Sequence, residues 1–320
     1  MSGRHSNKPL PSVTGVPATV VCSTMSGPGR QRGVALVLVL WILLLVTIST
    51  GAYTLMARMD SLEAHTTLWS TRARLAAEAG LNMAVVSLRD PVEEERWIPD
   101  GRPYTIQYGE AEVELRITDE RGKLNVNHAN EETLIQLFVA NGLEETDSVA
   151  LAGAVLDWID PDMLVRPNGA EEDDYLAAGY QVGPANRGFL MVEEMLQVLG
   201  LPWELYQLIE PGLTVWSDGN LPDPAYAPVE ALVALPDMTR EDASEFVTAR
   251  HDLDGSSDLR LALPSGQVAV AQGRGLTYSI VAKATMPNGV WDQIEATIRL
   301  GGNPFGYPFN ILRWREGFHH

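Results

Sequence analysis

The segment between Arg32 and Arg58 contains no charged residue, and its first part reads "VALVLVLWILLLVTIST". A helix rising about 1.5 Å per residue needs about 20 residues to cross a ~30 Å hydrocarbon core. This run is long enough, so the chain must either cross a membrane or lose the run by cleavage. A secretory apolar region is usually only ~7–15 residues and ends at a small-x-small site. This one is longer, and no clear site of that kind precedes Met56. Arg30 and Arg32 stand on its N-terminal side, which keeps the N-terminus cytoplasmic. On hydropathy alone an ordinary signal anchor satisfies the pattern.

The sequence beyond the run extends it. From Leu55 to Leu88 there is no Pro, and Gly occurs only at Gly80. Apolar or small residues recur at Leu55, Met59, Leu62, Trp69, Ala73, Ala76, Met83 and Val86. That spacing predicts one apolar helix face. Arg58, Asp60, Glu63, Arg72, Arg74 and Glu78 fill the other faces, and Pro91 ends the helix. The prediction is one helix of roughly 55 residues, about 80 Å long. Its first half (34–56) suits lipid, and its second half (57–90) suits packing on a folded body.

Charge divides the chain in the same place. The net charge is −19. Arg4, Lys8, Arg30 and Arg32 are the only charged residues up to Gly33, which leaves 19 basic against 42 acidic residues beyond it, a net of −23. Such a body is a poor match for nucleic acid, since phosphate binding needs clustered Lys and Arg. A basic leader, an apolar run and an acidic body describe an exported domain on a membrane anchor. The single cysteine, Cys22, precedes the run, so the body holds no disulfide. Residues 1–29 are rich in Ser, Pro, Gly and Thr, a composition of disordered segments. Met25, followed by "SGPGRQRG", is a second candidate start.

The basic leader ending in Gly, the apolar helix and the segment "RLAAEAGLNMAVVSL" (74–88) resemble the type IV pilin and pseudopilin class. The resemblance implies that a prepilin peptidase cuts between Gly33 and Val34 on the cytoplasmic side. Residues 1–33 would be removed, and the apolar run kept with Val34 methylated. Most members of the class carry Glu at the fifth mature position, which here is Leu38. That departure is characteristic of the type II secretion minor pseudopilin K family. A carboxylate in lipid is costly unless paired, and a first subunit has no subunit ahead of it to pair with. The implied role is assembly at a pseudopilus tip with the I- and J-type minor pseudopilins (GspI and GspJ type) and an inner-membrane secretion platform. The implied location is the inner membrane, single-pass, with the body in the periplasm. Leu38, Met59, Leu62, Trp69 and Met83 would lie on the assembly helix.

The body reads as α+β. "YTIQYG" (104–109) and "AEVELRIT" (111–118) alternate as half-buried strands do. "LTYSIVAKAT" (276–285) and "VWDQIEATIRL" (290–300) flank Pro287-Asn288-Gly289 as a hairpin. The expected fold is a long N-terminal helix packed on a small antiparallel sheet (91–121 and 213–300), interrupted by a large α-helical insertion (122–212). Asn130 is the expected cap of the first inserted helix. A second helical hairpin is expected over 225–252, with Thr239 as a cap. Both resemble the SAM-like, helix-hairpin-helix pieces of the pseudopilin K family. Elsewhere such hairpins bind DNA, and a membrane-anchored DNA-binding protein is the second reading. Glu144, Glu145 and Asp147 at the first turn, and Asp237, Glu241 and Asp242 at the second, oppose it.

"VLDWIDPDMLVRPNGAEEDDYL" (155–176) gathers acids on a segment bent by Pro161, Pro167 and Gly169. Hard oxygens on a loop suit Ca²⁺, which takes six to eight of them; a solvated acidic loop has the same composition. The pseudopilin K resemblance implies a structural Ca²⁺ site and carries over Asp160, Asp162 and Glu171, then Asp173 and Asp174. Asp157 is read as a capping or hydrogen-bonding residue, and Glu193 or Glu194 as a ligand reaching back.

No enzyme reading finds a catalytic constellation. None of the six histidines sits in a metal motif, and neither G-x-S-x-G nor a P-loop occurs. The aromatic-rich "NPFGYPFNILRWREGF" (303–318) reads as part of a disordered tail spanning 301–320, with a docking segment as the alternative.

Overall fold

The computed structural model describes residues 34–92, 95–253, 261–270, 275–301 and 306–317, apart from the side chains of Ser61 and Leu62. Gly33 lies outside the described residues. Helix α1 runs Val34–Leu88, 55 residues, and stops just ahead of Pro91 as expected. The chain divides into two compact units, Met1–Leu62 and Glu63–His320. In the first, every described side chain is exposed, including Leu38, Trp41 and Met59. This is the one helix among the described residues that is long and apolar enough to cross a membrane.

The second unit holds a five-stranded antiparallel sheet in the order β1-β2-β7-β8-β9. Its strands are β1 (Asp100–Tyr108), β2 (Ala111–Asp119), β7 (Thr277–Thr285), β8 (Trp291–Leu300) and β9 (Phe309–Glu316). Val113, Leu115 and Ile117 alternate inward along β2, as do Ile280, Ala282 and Ala284 along β7 and Ile294, Ala296 and Ile298 along β8. This face packs on Ala73, Ala76, Ala77, Leu81, Ala84, Val85 and Leu88 of α1. The helix side is mostly alanine, which lets the backbone approach closely. Gly80 marks the nearest point: a Cβ there would lie 2.7 Å from Val113 Cγ1.

Two sequence expectations need correction here. The apolar positions of α1 do not form one face. The buried stripe continues from Ala73 and Ala76 through Gly80, Ala84 and Leu88. Met83 (42 % exposed) and Val86 (70 %) fall outside that stripe, as do Leu68 and Leu75. The residues 301–320 are not simply a tail either. Phe309–Glu316 forms strand β9 along β8, with Phe309 and Trp314 packed on the sheet core. A bulge between the pairs Thr297–Arg313 and Ile298–Ile311 leaves Leu312 unpaired.

Between β2 and β7 lies a second core. It is built from β3 (Leu124–Asn125), α2 (Glu131–Ala140), α3 (Glu145–Ile159), α4 (Glu172–Ala177), α5 (Trp203–Ile209) and β4 (Leu213–Thr214). Helices α6 (Val229–Leu232) and α7 (Arg240–His251), and the short strands β5 (Leu261–Ala262) and β6 (Val268–Ala269), complete it. β3 pairs with β4 in parallel, and β5 with β6 antiparallel. Asn130 caps α2 by accepting from the Thr133 amide at 2.8 Å, and Thr239 caps α7 in a reciprocal pair with Asp242. Leu134, Leu137, Phe138, Val155, Ile209, Leu232, Met238 and Phe246 belong to one cluster that extends to Ala269. The packing therefore does not change at residue 213, where the sheet body was expected to resume; Leu213–Ala269 joins the helical core.

A buried polar joint connects the cores. Glu120, on a 3-10 turn after β2, pairs with Lys123 at 2.8 Å and accepts from Ser279 of β7 at 2.6 Å and from Thr214. Lys123 also donates to Ser279 at 3.0 Å. A second tie runs from α7 to β1. Arg250 is almost wholly buried and donates to the carbonyls of Asp100, Pro224 and Ala227. Burial pulls its pKa down to about 10 against the pull of Asp100, so it stays a cation at neutral pH.

Candidate functional site

The acidic loop leaves the C-terminus of α3 and returns at α4. Asp157 sits in the last turn of α3 and is fully buried. Its Oδ2 accepts from the Arg166 amide at 3.2 Å, and a Cβ on Gly169 would come within 2.0 Å of that oxygen. Only glycine fits there. The Arg166 side chain folds back: Nε lies 3.2 Å from Asp157 Oδ1, and a terminal nitrogen donates to Asp160 Oδ2 at 2.8 Å. The Nε contact is an ion pair without hydrogen-bond alignment, since Asp157 Oδ1 has no hydrogen-bond partner.

The structure brings some of the expected ligands together and disperses others. Asp160 caps α3 and is held by Arg166. Asp162 turns its Oδ1 to the Leu164 amide at 2.8 Å. Glu171 is 5 % exposed and starts α4, where its amide donates to Asp174 Oδ2 at 3.0 Å. Asp173 is exposed on α4. Glu193 pairs with Arg313 of β9, and Glu194 with Arg187, so both are engaged away from the loop. The residues that organise the loop, Asp157 and Arg166, are the ones sequence reasoning undervalued. The available clue was an arginine inside an otherwise acidic segment.

Negative charge in this loop exceeds its compensation. Burial pushes the Asp157 carboxyl up, and Asp160 adds to this while the Arg166 amide and guanidinium pull it back. Burial also pushes Glu171 up, reinforced by Asp157, Asp160, Asp162 and Asp174. Asp157 Oδ1, Asp160 Oδ1, Glu171 Oε1 and Asn186 Oδ1 are buried oxygens without hydrogen-bond partners. An unpaired buried acceptor is costly, and oxygen is the donor type that a hard cation takes. The donor set therefore fits Ca²⁺ in chemical type. Among the described residues, however, no three acidic, His or Cys side chains converge into a metal cluster; Asp157 and Asp160 turn to Arg166 instead.

Below the loop lies an aromatic floor. Trp158 stacks on Phe189 at 5.7 Å and meets Tyr175 at 6.2 Å. Burial pushes the Tyr175 hydroxyl to about 12, and it accepts from the Leu199 amide at 3.0 Å. The floor fixes α3, α4 and the 185–199 segment relative to one another.

The second candidate surface is the outward side of α1 in the folded body. Leu68, Leu75, Met83 and Val86 are 42–70 % exposed there. Trp69 is half-buried, with the Arg72 guanidinium 5.0 Å above its ring.

Comparison with known proteins agrees with this architecture. Residues 114–218 match the family model described as type II secretion system (T2SS), protein K. The type II secretion system protein K of Klebsiella pneumoniae is 28 % identical over 250 residues, 69 % of this chain and 76 % of that protein. The one from Pectobacterium carotovorum subsp. carotovorum is 28 % identical over 305 residues, 86 % of this chain and 90 % of that protein. A chain in the crystal structure of the GspK-GspI-GspJ complex from the enterotoxigenic Escherichia coli type 2 secretion system matches the fold. Its TM-score is 0.50 at 18 % identity, covering 82 % of this chain and 99 % of that one. With a helical core set between strands β2 and β7 and an apolar N-terminal helix leading into them, this chain is similar in sequence and in fold to type II secretion system protein K.

Proposed function

We propose that this chain is the minor pseudopilin at the tip of the pseudopilus, where it starts or caps assembly with I- and J-type subunits. The carrying observation is the division of labour on α1. One side is used up by the sheet, while Leu68, Leu75, Met83 and Val86 are left exposed beside Arg72 and Arg74. An exposed apolar strip with a charged border is what a partner helix buries. Leu38 fits the tip role, because a leading subunit gains nothing from a carboxylate in lipid. The helical core adds bulk that hinders a further subunit. A prepilin peptidase processes the leader after Gly33, and Val34–Met56 holds the protein in the inner membrane with its body in the periplasm. Export of proteins then depends on the assembled pseudopilus and its membrane platform.

The test is cross-linking in membranes. Single cysteines at Leu75 and Met83 should capture I- or J-type pseudopilins, whereas cysteines at Glu131 and Glu132 of α2 should not. Capture at α2 alone would refute the assembly face. Mass spectrometry of the mature N-terminus should find Val34, and an intact leader would favour a plain anchor.

The same reading assigns a structural Ca²⁺ ion to the loop of Asp157, Asp160, Asp162, Glu171 and Asp174. A ligand that binds only the folded state raises its stability. The full chain in detergent should melt higher in Ca²⁺ than in EGTA, and an unchanged midpoint would count against the ion.

A further inference from the structure

We infer that the two outer strands of the sheet are shaped to refuse further strands, and that the surplus residue Leu312 keeps β9 from pairing with β9 of a second copy of this chain. The inference is independent of a role at a pseudopilus tip. The hazard it answers lies in β9. An edge strand presents unpaired N–H and C=O groups that another chain can match. Among the described residues β9 closes one side of the sheet. Its run Phe309-Asn310-Ile311-Leu312-Arg313-Trp314 is rich in strand-forming apolar residues and holds no Pro. Ile311 and Leu312 are exposed there.

The irregularities of the sheet are confined to its edges. The inner ladders run unbroken, β2 with β7 from Glu112–Thr285 to Asp119–Tyr278, and β7 with β8 from Thr277–Arg299 to Thr285–Trp291. Each outer strand instead carries one extra residue. In β1 it falls between the pairs Asp100–Thr118 and Pro103–Arg116, where Gly101 has a φ of 86°. Pro103 adds a position with no N–H to offer a neighbour. In β9 the extra residue is Leu312, between the pairs Ile298–Ile311 and Thr297–Arg313. A bulge bends its strand and increases the local twist, so neither edge matches a regular incoming strand.

Packing does not call for Leu312. Phe309, Ile311, Trp314 and Glu316 stand opposite Leu300, Ile298, Ala296 and Ile294, the β8 residues on the α1 side. Arg313 and Arg315 stand opposite Thr297 and Glu295 and pair with Glu210 on the other side. Without Leu312 the strand would alternate directly from Ile311 to Arg313. Every one of these residues would then keep both its partner and its side of the sheet. The extra residue therefore serves the shape of the edge.

The test is deletion of Leu312 from the full chain in detergent, with self-association measured by sedimentation velocity over a concentration series. The shortened chain should associate at least about tenfold more tightly than the wild type. Adding Ile311→Lys to it should return association to the wild-type level, since a charge on an edge strand blocks pairing. Ile311 is 53 % exposed, so the lysine is accommodated. Pro103→Val restores an N–H on the opposite edge and should tighten association less, because the bulge at Gly101 remains. This variant decides the matter if near-UV circular dichroism shows that the shortened chain does not fold. Association no tighter than wild type in the folded shortened chain, or in Pro103→Val where that variant decides, would overturn the inference. Association that Ile311→Lys leaves unchanged would overturn it too, because the contact would then lie away from β9.

Discussion

The two cores of the body solve burial differently. In the sheet core, α1 offers alanines and Gly80 to a regular face of Val113, Leu115, Ile117, Ile280, Ala282 and Ile298. Apart from the polar joint, its buried acids, Asp100 and Asp119, sit at strand ends and each is paired with an arginine, Arg102 and Arg121, at 2.8 Å. The helical core is assembled from short helices, and it encloses charge. Asp157 is fully buried and Glu171 nearly so. A regular sheet meets the backbone hydrogen bonds of its inner strands through its ladder and needs only apolar volume on one side. Short helices leave many backbone ends and carboxylates to be satisfied individually. The sheet core is thus a mounting, and the helical core is where a ligand could change stability.

The contrast is exposed to test at the joint first. Lys123→Met would leave Glu120 buried beside Ser279 and Thr214 without its counter-charge. Breaking a buried pair in this way costs about 3–5 kcal/mol. If the cores form one cooperative unit, calorimetry of the full chain in detergent should show a single lowered transition; two separated transitions would mean that the cores unfold independently. Next come matched truncations. Leu115→Ala in the sheet core and Leu137→Ala in the helical core each remove a fully buried side chain, at about 2–5 kcal/mol apiece. Added Ca²⁺ should offset part of the loss only in the second, measured by urea titration; equal rescue in both would erase the distinction between mounting and ligand-bearing core. A smaller effect is expected at the α7 cap. Thr239→Ala removes the acceptor for the Asp242 amide and should cost about 1 kcal/mol, seen as faster hydrogen exchange in 240–243. The smallest effect on stability belongs to Met83→Gln on the exposed side of α1, within about 0.5 kcal/mol. The same change should weaken co-purification with I- and J-type subunits, and undiminished recovery would count against that face.

Local patterns were read well from the sequence. The strands around Tyr104–Gly109, Ala111–Thr118 and the hairpin at Pro287-Asn288-Gly289 follow from alternation and turn chemistry, which act over a few residues. Asn130 and Thr239 cap as expected, because a cap needs only the next three amides. Strand β9 was not legible. The bulge at Leu312 breaks the alternation of Phe309, Ile311 and Trp314, so the segment lacks a strand period. The α1 face was misjudged for a related reason. Met83 and Val86 are apolar, and hydropathy does not distinguish a residue that faces the body from one offered to a partner. In the acidic loop the individual carboxylates were visible, but their burial and the bridging role of Arg166 were not.

The sequence by itself determined the apolar run, the length of α1, most strands and the caps. It also determined the excess of acid over base in 157–174. Each of these follows from composition or from neighbours within a turn or a hairpin. Tertiary structure alone decided that Glu120 meets Thr214 and Ser279, 94 and 159 residues away, and that Arg313 crosses 103 residues to Glu210. It also decided that one face of α1 is spent on the sheet while another stays exposed. Pairing between distant charges depends on which surfaces the fold brings together and excludes from water, and no local pattern carries that information.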